Sequence, residues 1–303
     1  MFLRRYRDIL LTRLRPGLIR AGYHSKPDFL IIGAQKAGTT ALYYYLAEHP
    51  NIVPGSDKEI SFFSPELFED WPENPKHPIL CSQKGTDFFN PRTYPKRATW
   101  YHSSFPLPHE VGRHRITYEA TPEYLYYPAV AERIFKYDPK MKLIAILRDP
   151  VERAFSAWNM YSSFGEGGYR PLIYAPRRDT RGFNEAVRDE LSEIRTGKTK
   201  LDPGYVRRGL YHEQLLRYFK LFERHQILIL DTNILKSSTS AVIEQVIGFL
   251  GLPEYGHEGE WPPIFVGKYE SQIPDTTARL LREFYKPHNE KLYELLDYDF
   301  GWR

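Results

Sequence analysis

The chain has one cysteine, no long hydrophobic run and little net charge. These three features argue against an internal disulfide, a membrane span and a nucleic-acid partner, respectively. Cys81 has no second cysteine in the 303 residues, so no internal disulfide can form, which favours a reducing compartment. No apolar run approaches the length of a membrane span, and those near the start are too short for a secretory signal. The net charge of +4 suits an anionic ligand and argues against a nucleic-acid partner.

Residues 1–26 are expected to form a basic extension. Between Phe2 and Leu14, apolar residues recur at roughly helical spacing with arginines between them. This pattern predicts an amphipathic helix, which would either lie on a membrane surface or pack on the chain's own domain. Because the sequence shows neither a secretory signal nor a membrane span, we expect a cytoplasmic protein. Whether this segment also contacts a membrane surface is left open by the pattern.

Residues 27–303 are expected to form one α/β domain, because short apolar runs alternate with helical patterns. Strands separated by helices predict a three-layer, P-loop-like fold with a central parallel sheet between helices. Ligands of such sheets bind at the carboxyl ends of the strands. Two less periodic stretches, residues 64–114 and 162–182, predict long loops on the acceptor side. Strands are predicted at 29–32, 116–118, 143–147 and 227–230, and helices at 39–49, 128–137, 151–161, 183–196, 205–224, 239–250 and 275–296.

The stretch from Gly33 to Thr40 reads GAQKAGTT and joins the first predicted strand to a helix. Backbone N–H groups of such a turn and of the helix N-terminus point at a bound anion. A nucleotide kinase loop carries its lysine directly after the second glycine, where this chain has Thr39. The lysine is Lys36 instead, inside the loop.

Metal ligands of the kinase type are not apparent after the later strands. The predicted strand that ends at Leu147 continues into Arg148, Asp149 and Pro150 rather than into an acidic motif. The ligand therefore carries less charge at its reacting end than a triphosphate and needs no metal. A mixed phosphate–sulfate anhydride fits this description.

A second anion site is predicted around Arg148. This residue ends a strand, and Pro150 suits the first turn of the following helix, which would carry Ser156. A guanidinium and a hydroxyl can together bind a terminal phosphate. An Arg–Asp surface pair at a helix start is the other interpretation of the same residues.

These motifs resemble the sulfotransferase family, particularly the heparan sulfate (carbohydrate) sulfotransferases and their bacterial relatives. The KAGTT segment beginning at Lys36 is similar to that family's 5′-phosphosulfate loop, and residues 146–156 are similar to its 3′-phosphate loop. The order and separation of the two also match. Weaker similarities extend the resemblance over about residues 27–303: KEISFF at 58–63, WY at 100–101, FP at 105–106, YEATPEY at 118–124, GLYH at 209–212, GKY at 267–269 and YKPHN at 285–289.

The resemblance implies that the donor is 3′-phosphoadenosine 5′-phosphosulfate (PAPS), bound without a metal. Lys36 would stabilise the leaving phosphate during transfer, which makes it a catalytic as well as a donor-binding residue. Tyr211 is a weaker candidate for donor contact. The implied donor-binding residues are Lys36, Ala37, Gly38, Thr39, Thr40, Arg148, Ser156, Tyr211 and, in a C-terminal loop, Gly267, Lys268 and Tyr269.

Glu59 matches the family's catalytic glutamate and is the candidate general base. The other interpretation of Glu59 is a salt bridge with Lys58 or a nearby arginine. His102, His109 and His114 are substitute candidates because the hormone-type branch uses a histidine base, and their spacing fits no familiar metal site.

The acceptor is less defined than the donor. The animal branch has a histidine where this chain has Ser61 and a lysine where it has Ala120. We expect a glycan or glycolipid acceptor, with a small-molecule or lipid hydroxyl as the alternative. An ATP-dependent kinase and a binding module without activity are the competing function classes.

Overall fold

A computed structural model describes residues 14–15, 17–68, 87–165, 172–198, 202–257, 259–264 and 272–302, with the backbone alone for 172–174. Five parallel strands form one sheet in the order β2-β3-β1-β4-β5. The strands are β1 Phe29–Gly33, β2 Ile52–Pro54, β3 Ile116–Ala120, β4 Lys142–Leu147 and β5 Ile227–Asp231.

Among the described residues, ten α-helices and four short 3₁₀ turns follow β1, and residues 17–20 before it are also helical. The 3₁₀ turns are Pro65–Phe68, Leu172–Arg177, Arg207–Gly209 and Arg224–Gln226. The helices are α1 Thr39–Ala47, α2 Tyr94–Ser103, α3 Pro108–Val111, α4 Val130–Tyr137, α5 Pro150–Ser162, α6 Phe183–Arg195, α7 Tyr211–Phe219, α8 Thr232–Ser237, α9 Thr239–Leu250 and α10 Asp275–Leu296.

The central strands are covered on both faces. All five residues of β1 are buried, as is β4 from Leu143 onward. Parallel strands with such apolar runs are typical of sheets that lie between two layers of helices. The predicted three-layer α/β architecture is therefore confirmed.

A second apolar cluster lies beside the sheet core. It joins α5, α6 and α10 to the turn at 207–209, and Tyr205 and Tyr285 are buried within it. Gly209 belongs to this packing, because a Cβ atom there would lie 2.6 Å from the Tyr285 hydroxyl and 2.8 Å from Cβ of Pro150. This cluster fixes the segment that leads into α7.

Candidate active site

Five loops meet at one edge of the sheet, because all five strands run in the same direction. Residues 34–38, which we call the donor loop, follow β1, and Arg148 follows β4. Glu59 comes five residues after β2, Glu123 follows β3, and Thr232 follows β5. The structure thus brings the donor loop and Arg148 to the same edge of the sheet as Glu59, the predicted base.

The donor loop turns sharply between β1 and α1. Lys36 and Gly38 have φ values of 66° and 104°, in the left-handed region, and Gly38 is the N-cap of α1. The Ala34 N–H donates to the Ile146 carbonyl at 2.8 Å, which ties the loop to β4. The N-terminus of the nine-residue helix α1 therefore opens onto the loop, as in an anion-binding turn.

Side chains from the neighbouring strand ends hold the donor loop through its carbonyl oxygens. The Arg148 guanidinium donates to the Lys36 carbonyl at 3.3 Å. The Thr232 hydroxyl lies 2.5 Å from the Ala37 carbonyl and 2.8 Å from the Leu147 carbonyl. These contacts fix the loop's carbonyl oxygens, and the Ala37 N–H is bonded within the loop, to the Ala34 carbonyl at 3.1 Å.

Arg148 lies beside the donor loop at the start of α5. It forms an ion pair with Glu152 at 3.0 Å, whereas Asp149 caps the helix by accepting from the N–H groups of Val151 and Glu152. The alternative Arg148–Asp149 surface pair is therefore not what the structure contains. Ser156 is buried within the same helix, two turns further on.

Tyr211 is buried at the start of α7, and its hydroxyl donates to the Arg148 carbonyl at 2.9 Å. This contact fixes the backbone where β4 ends. Tyr211 therefore acts on the site through Arg148.

Glu59 occupies a tight turn opposite the donor loop. Its φ is 65°, its N–H donates to the Ala120 carbonyl at 3.0 Å, and its side chain is 50% exposed. The carboxylate pairs with the Lys58 ammonium at 2.5 Å, so the salt bridge considered for Glu59 does form. A half-exposed carboxylate held by a strained turn can accept a proton from an incoming group.

Ser61 stands where the animal enzymes have a histidine, and it is buried in the same turn. Its N–H donates to the Thr121 hydroxyl at 3.2 Å, and its φ of 58° is again left-handed. Ala120, at the position of the animal lysine, is buried at the end of β3. Both positions therefore join the Glu59 turn to β3.

Two residues of the site were not predicted from the sequence. Glu123 is buried, and its Oε1 accepts from the Gln35 amide of the donor loop at 3.2 Å. Glu123 belongs to a motif that resembles the family and Gln35 directly precedes one, but no local pattern distinguishes either residue. The only available signal was their position directly after β1 and β3.

Two arginines in loops beside the sheet make contacts within the protein. Arg208 is only 2% exposed and lies over the Tyr126 ring at 4.3 Å, while Arg177 donates to Asp202 at 2.5 Å. These two arginines therefore hold the protein's own loops together.

The three histidines considered as substitute bases do not resemble a catalytic base in their surroundings. His102 is buried against Tyr137 at 2.9 Å, and burial, with smaller effects from His24 and Lys26, lowers its pKa to about 3. His114 lies just before β3, at the amino edge of the sheet. Its carbonyl oxygen accepts from the Asn51 side-chain amide at 2.8 Å. His109 stacks on Tyr23 in the segment that precedes β1. Of these candidates, Glu59 is the one whose backbone bonds to the last residue of β3, at the carboxyl edge of the sheet.

Some predicted features fall outside the described residues. Gly267, Lys268 and Tyr269 lie there, as do residues 1–13 of the N-terminal segment. Within the described part of the chain, no helix is long and apolar enough to cross a membrane. The same part holds no group of three or more His, Cys, Asp or Glu residues placed to bind a metal ion.

Comparison with known proteins places the chain in a family. The sulfotransferase domain model matches residues 26–261, so the chain belongs to the sulfotransferase domain family. The bifunctional heparan sulfate N-deacetylase/N-sulfotransferase 3 of Homo sapiens is 28% identical over 297 residues, which cover 89% of this chain but only 30% of that protein. Heparan sulfate glucosamine 3-O-sulfotransferase 6 of Homo sapiens is 27% identical, over 95% of this chain and 78% of that protein.

A solved structure agrees with this assignment. The sulfotransferase from Alicyclobacillus acidocaldarius matches with a TM-score of 0.64 and 28% identity, covering 92% of this chain and 99% of that one. The predicted sulfotransferase resemblance is therefore confirmed.

Proposed function

We propose that the chain transfers a sulfuryl group from PAPS to a hydroxyl or amine of a carbohydrate-type acceptor. One observation carries the proposal: the Arg148 guanidinium donates to the Lys36 carbonyl, so that two anion-binding groups predicted from separate motifs are neighbours. PAPS carries phosphate groups on both the 3′ and the 5′ position of its ribose, so it needs two neighbouring anion-binding groups. The opening of α1 onto the donor loop supports the same assignment.

The residues present fit such a donor. Lys36, Ala37, Gly38, Thr39 and Thr40 form the turn and helix start that would hold the 5′-phosphosulfate. Arg148 and Ser156 would hold the 3′-phosphate, and Tyr211 supports Arg148 from behind. Gly267, Lys268 and Tyr269, outside the described residues, are proposed to close over the donor.

The proposed reaction is an in-line transfer. The acceptor oxygen or nitrogen forms a bond to sulfur while the bond from sulfur to the 5′-phosphate oxygen breaks, and the acceptor's proton passes to Glu59. Negative charge grows on the leaving phosphate, where Lys36 and the N–H groups of the donor loop stabilise it. No part of this step requires a metal ion.

The acceptor is proposed to be a glycan or glycolipid because the similar human proteins act, by their names, on heparan sulfate. Ser61 and Ala120 replace two acceptor-side residues of the animal branch, so heparan sulfate itself is one test compound among several. A small-molecule or lipid hydroxyl is the alternative acceptor. We further propose that residues 27–303 form a single domain, with residues 1–26 as a basic extension.

Thermal unfolding with added nucleotides tests the donor assignment. We expect 3′-phosphoadenosine 5′-phosphate (PAP), the product of the donor, to raise the Tm without magnesium, by the equivalent of about 3 kcal/mol at a hundredfold excess over its Kd. ATP with magnesium should give no comparable shift. Arg148→Ala should lose most of the PAP effect, whereas Arg113→Ala, at an exposed position far from the donor loop, should keep it.

Transfer is tested with radiolabelled PAPS and a panel of acceptors. The panel contains de-N-sulfated heparin, a neutral glycolipid and 2-naphthol, so that amine, sugar and phenol acceptors are separated. Stabilisation by ATP and magnesium in place of PAP would indicate a kinase. Binding of PAP without transfer to any acceptor would indicate a binding module.

A further inference from the structure

Residues 120–125, which we call the bridging segment, lie between the donor loop and the Glu59 turn. Toward β1, the Thr121 N–H donates to the Ile31 carbonyl at 3.0 Å and the Leu125 N–H to the Ile32 carbonyl at 2.8 Å. Toward the Glu59 turn, the Ala120 carbonyl accepts from the Glu59 N–H. The bridging segment thus contacts both halves of the site through its backbone.

Contact with β1 is close as well as hydrogen-bonded. A Cβ atom on Gly33 would lie 2.6 Å from Cβ of Leu125, so the start of the donor loop can approach the bridging segment only because residue 33 is glycine. Small shifts of the bridging segment would therefore reach the donor loop directly.

Glu123 is the charged residue of the bridging segment that faces this junction. It is 6% exposed, its Oε1 accepts from the Gln35 amide, and its Oε2 is buried with no hydrogen-bond partner among the described residues. Gln35 directly precedes Lys36. A side-chain contact therefore joins the bridging segment to the residue next to the donor-loop lysine.

Charged and titratable groups from three other segments surround Glu123. Glu59 and Lys58 face it from the base turn, Arg208 from the 207–209 turn, and Tyr127 from the segment before α4. Burial, followed by the Glu59 charge, raises the pKa of Glu123, while Arg208 and Lys58 oppose the rise. The two carboxyl groups are thus near enough to affect each other's ionisation.

The stability of the fold does not explain why a carboxyl group is buried at position 123. Burying a carboxyl costs free energy unless strong hydrogen bonds compensate it. The buried cation Arg208 has no hydrogen-bond partner for Nη1 or Nη2 among the described residues, so it does not form a bidentate pair with Glu123. A neutral or apolar residue would be cheaper to bury at this position.

We propose that Glu123 is a positioning residue for sulfuryl transfer, which holds the donor loop in place through Gln35. This inference presupposes the proposed function of the site. Gln35 directly precedes Lys36, so its contact with Glu123 restrains the segment that would stabilise the leaving phosphate. One buried side chain thereby ties the donor loop to the bridging segment.

A double-mutant cycle on PAP affinity tests the link to the donor loop. We expect Gln35→Ala and Glu123→Ala each to weaken PAP binding about five- to tenfold, as for loss of one neutral hydrogen bond. The double variant should be no weaker than either single variant, because both remove the same contact. Glu132→Ala, at an exposed position of α4, is the matched control and should bind PAP like the wild type.

Glu123→Gln and Glu123→Leu separate the hydrogen bond from packing. The amide keeps an oxygen that can accept from Gln35, so Glu123→Gln should hold PAP affinity within about twofold of the wild type. Leucine fills a similar volume without an acceptor, so Glu123→Leu should weaken PAP binding about five- to tenfold. A residue that only supports packing would tolerate both substitutions equally.

The outcomes can be told apart. Independent, additive effects of Gln35→Ala and Glu123→Ala, or unchanged PAP affinity in both, would overturn the link to the donor loop. Weakened PAP binding in Glu123→Gln, or unweakened binding in Glu123→Leu, would show that the contact with Gln35 is not what holds the donor loop. If Glu123→Ala does not fold, the cycle is run with Glu123→Leu. Failure of the wild type to bind PAP would instead refute the proposed function.

Discussion

At the scale of single residues, Glu59 separates chemistry from binding. Glu59→Gln should lower kcat by roughly 100-fold or more, because the acceptor's proton loses its base. PAP affinity should be preserved, since the donor loop is held by Arg148 and Thr232 rather than by Glu59. The measurements are single-turnover transfer from radiolabelled PAPS and calorimetric titration with PAP.

Lys58→Met is the control for this substitution, because it removes the ion pair and leaves the carboxylate. Near-normal turnover in Glu59→Gln would exclude Glu59 as the base. A loss as large in Lys58→Met would assign the effect to the ion pair.

Glu119, on β3, gives a pH-dependent prediction of its own. Burial raises its pKa to about 7, although the hydroxyls of Tyr101, Tyr124 and Thr121 bond to it and lower the value. The folded state therefore binds this proton more tightly than the unfolded state does. The stabilisation is fully present below the ordinary pKa of about 4.5 and is lost as the pH rises through 7.

Glu119→Gln should remove that dependence. Relative to the variant, the wild type should lose about 3 kcal/mol of unfolding free energy between pH 4.5 and pH 8. Urea unfolding at several pH values measures the difference, and background titration by groups such as His102 cancels in the comparison. A constant difference across this range would contradict the prediction.

Residues with a chemical pattern could be found from the sequence, and those with only a spatial role could not. Lys36, Arg148 and Glu59 occupy motifs directly after strands. Glu123 and Thr232 owe their roles to partners far along the chain, since Thr232 meets Ala37 across 195 positions. Nothing local marks such contacts, because an ordinary helix cap or surface carboxylate has the same neighbours in sequence.

At the scale of elements, the predicted helices and strands correspond well to the observed ones, with instructive exceptions. β2 was not predicted because Ile52–Pro54 is too short to show alternation. α2 lies in a stretch predicted to be loop, since it buries Arg97 and His102 as well as Tyr101 and so lacks an apolar stripe.

The helix predicted from 205 begins only at Tyr211. Its expected first turn is replaced by the 3₁₀ turn at Arg207–Gly209, where Gly209 packs against Tyr285. Periodicity alone cannot reveal such a tertiary contact.

Alanine substitutions at two glycines, one in the 3₁₀ turn at 207–209 and one inside α9, should change the unfolding free energy in opposite directions. Gly209→Ala should lower the unfolding free energy by about 1–3 kcal/mol, because its Cβ would overlap the Tyr285 hydroxyl and Pro150. Gly248→Ala, inside α9 with nothing within 4 Å of the added atom, should raise it by about 0.5–1 kcal/mol. Urea unfolding distinguishes the opposite signs, and destabilisation by both would show that the packing at Gly209 is not the cause.

At the scale of the whole molecule, Asp202 ties the second cluster together. It accepts from the Tyr161 hydroxyl at 2.7 Å and from Arg177, and it lies 3.7 Å from Arg208. Asp202→Asn should cost about 3 kcal/mol or more, because two poorly exposed arginines lose their anion. Asp189→Asn, which breaks an exposed pair with Arg181, should cost less than about 1 kcal/mol.

Thermal unfolding of the two aspartate variants provides the comparison. Equal losses would mean that burial does not govern these ion pairs. A large loss confined to Asp202→Asn would show that the loops beside the sheet depend on one carboxylate.

The position of β1 in the sheet has a consequence for how the chain folds. β1 pairs on one side with β3, where Phe29 meets Tyr118, and on the other with β4, where Phe29 meets Lys142. β1 comes before its sheet partners in the chain, so it must wait for residues far along the chain, and such non-local pairing slows folding. The donor loop cannot acquire its contacts with Ile146 and Thr232 before this sheet has closed. Capture of PAP by a refolding chain would consequently report completion of the sheet, and its rate would follow the slowest pairing step.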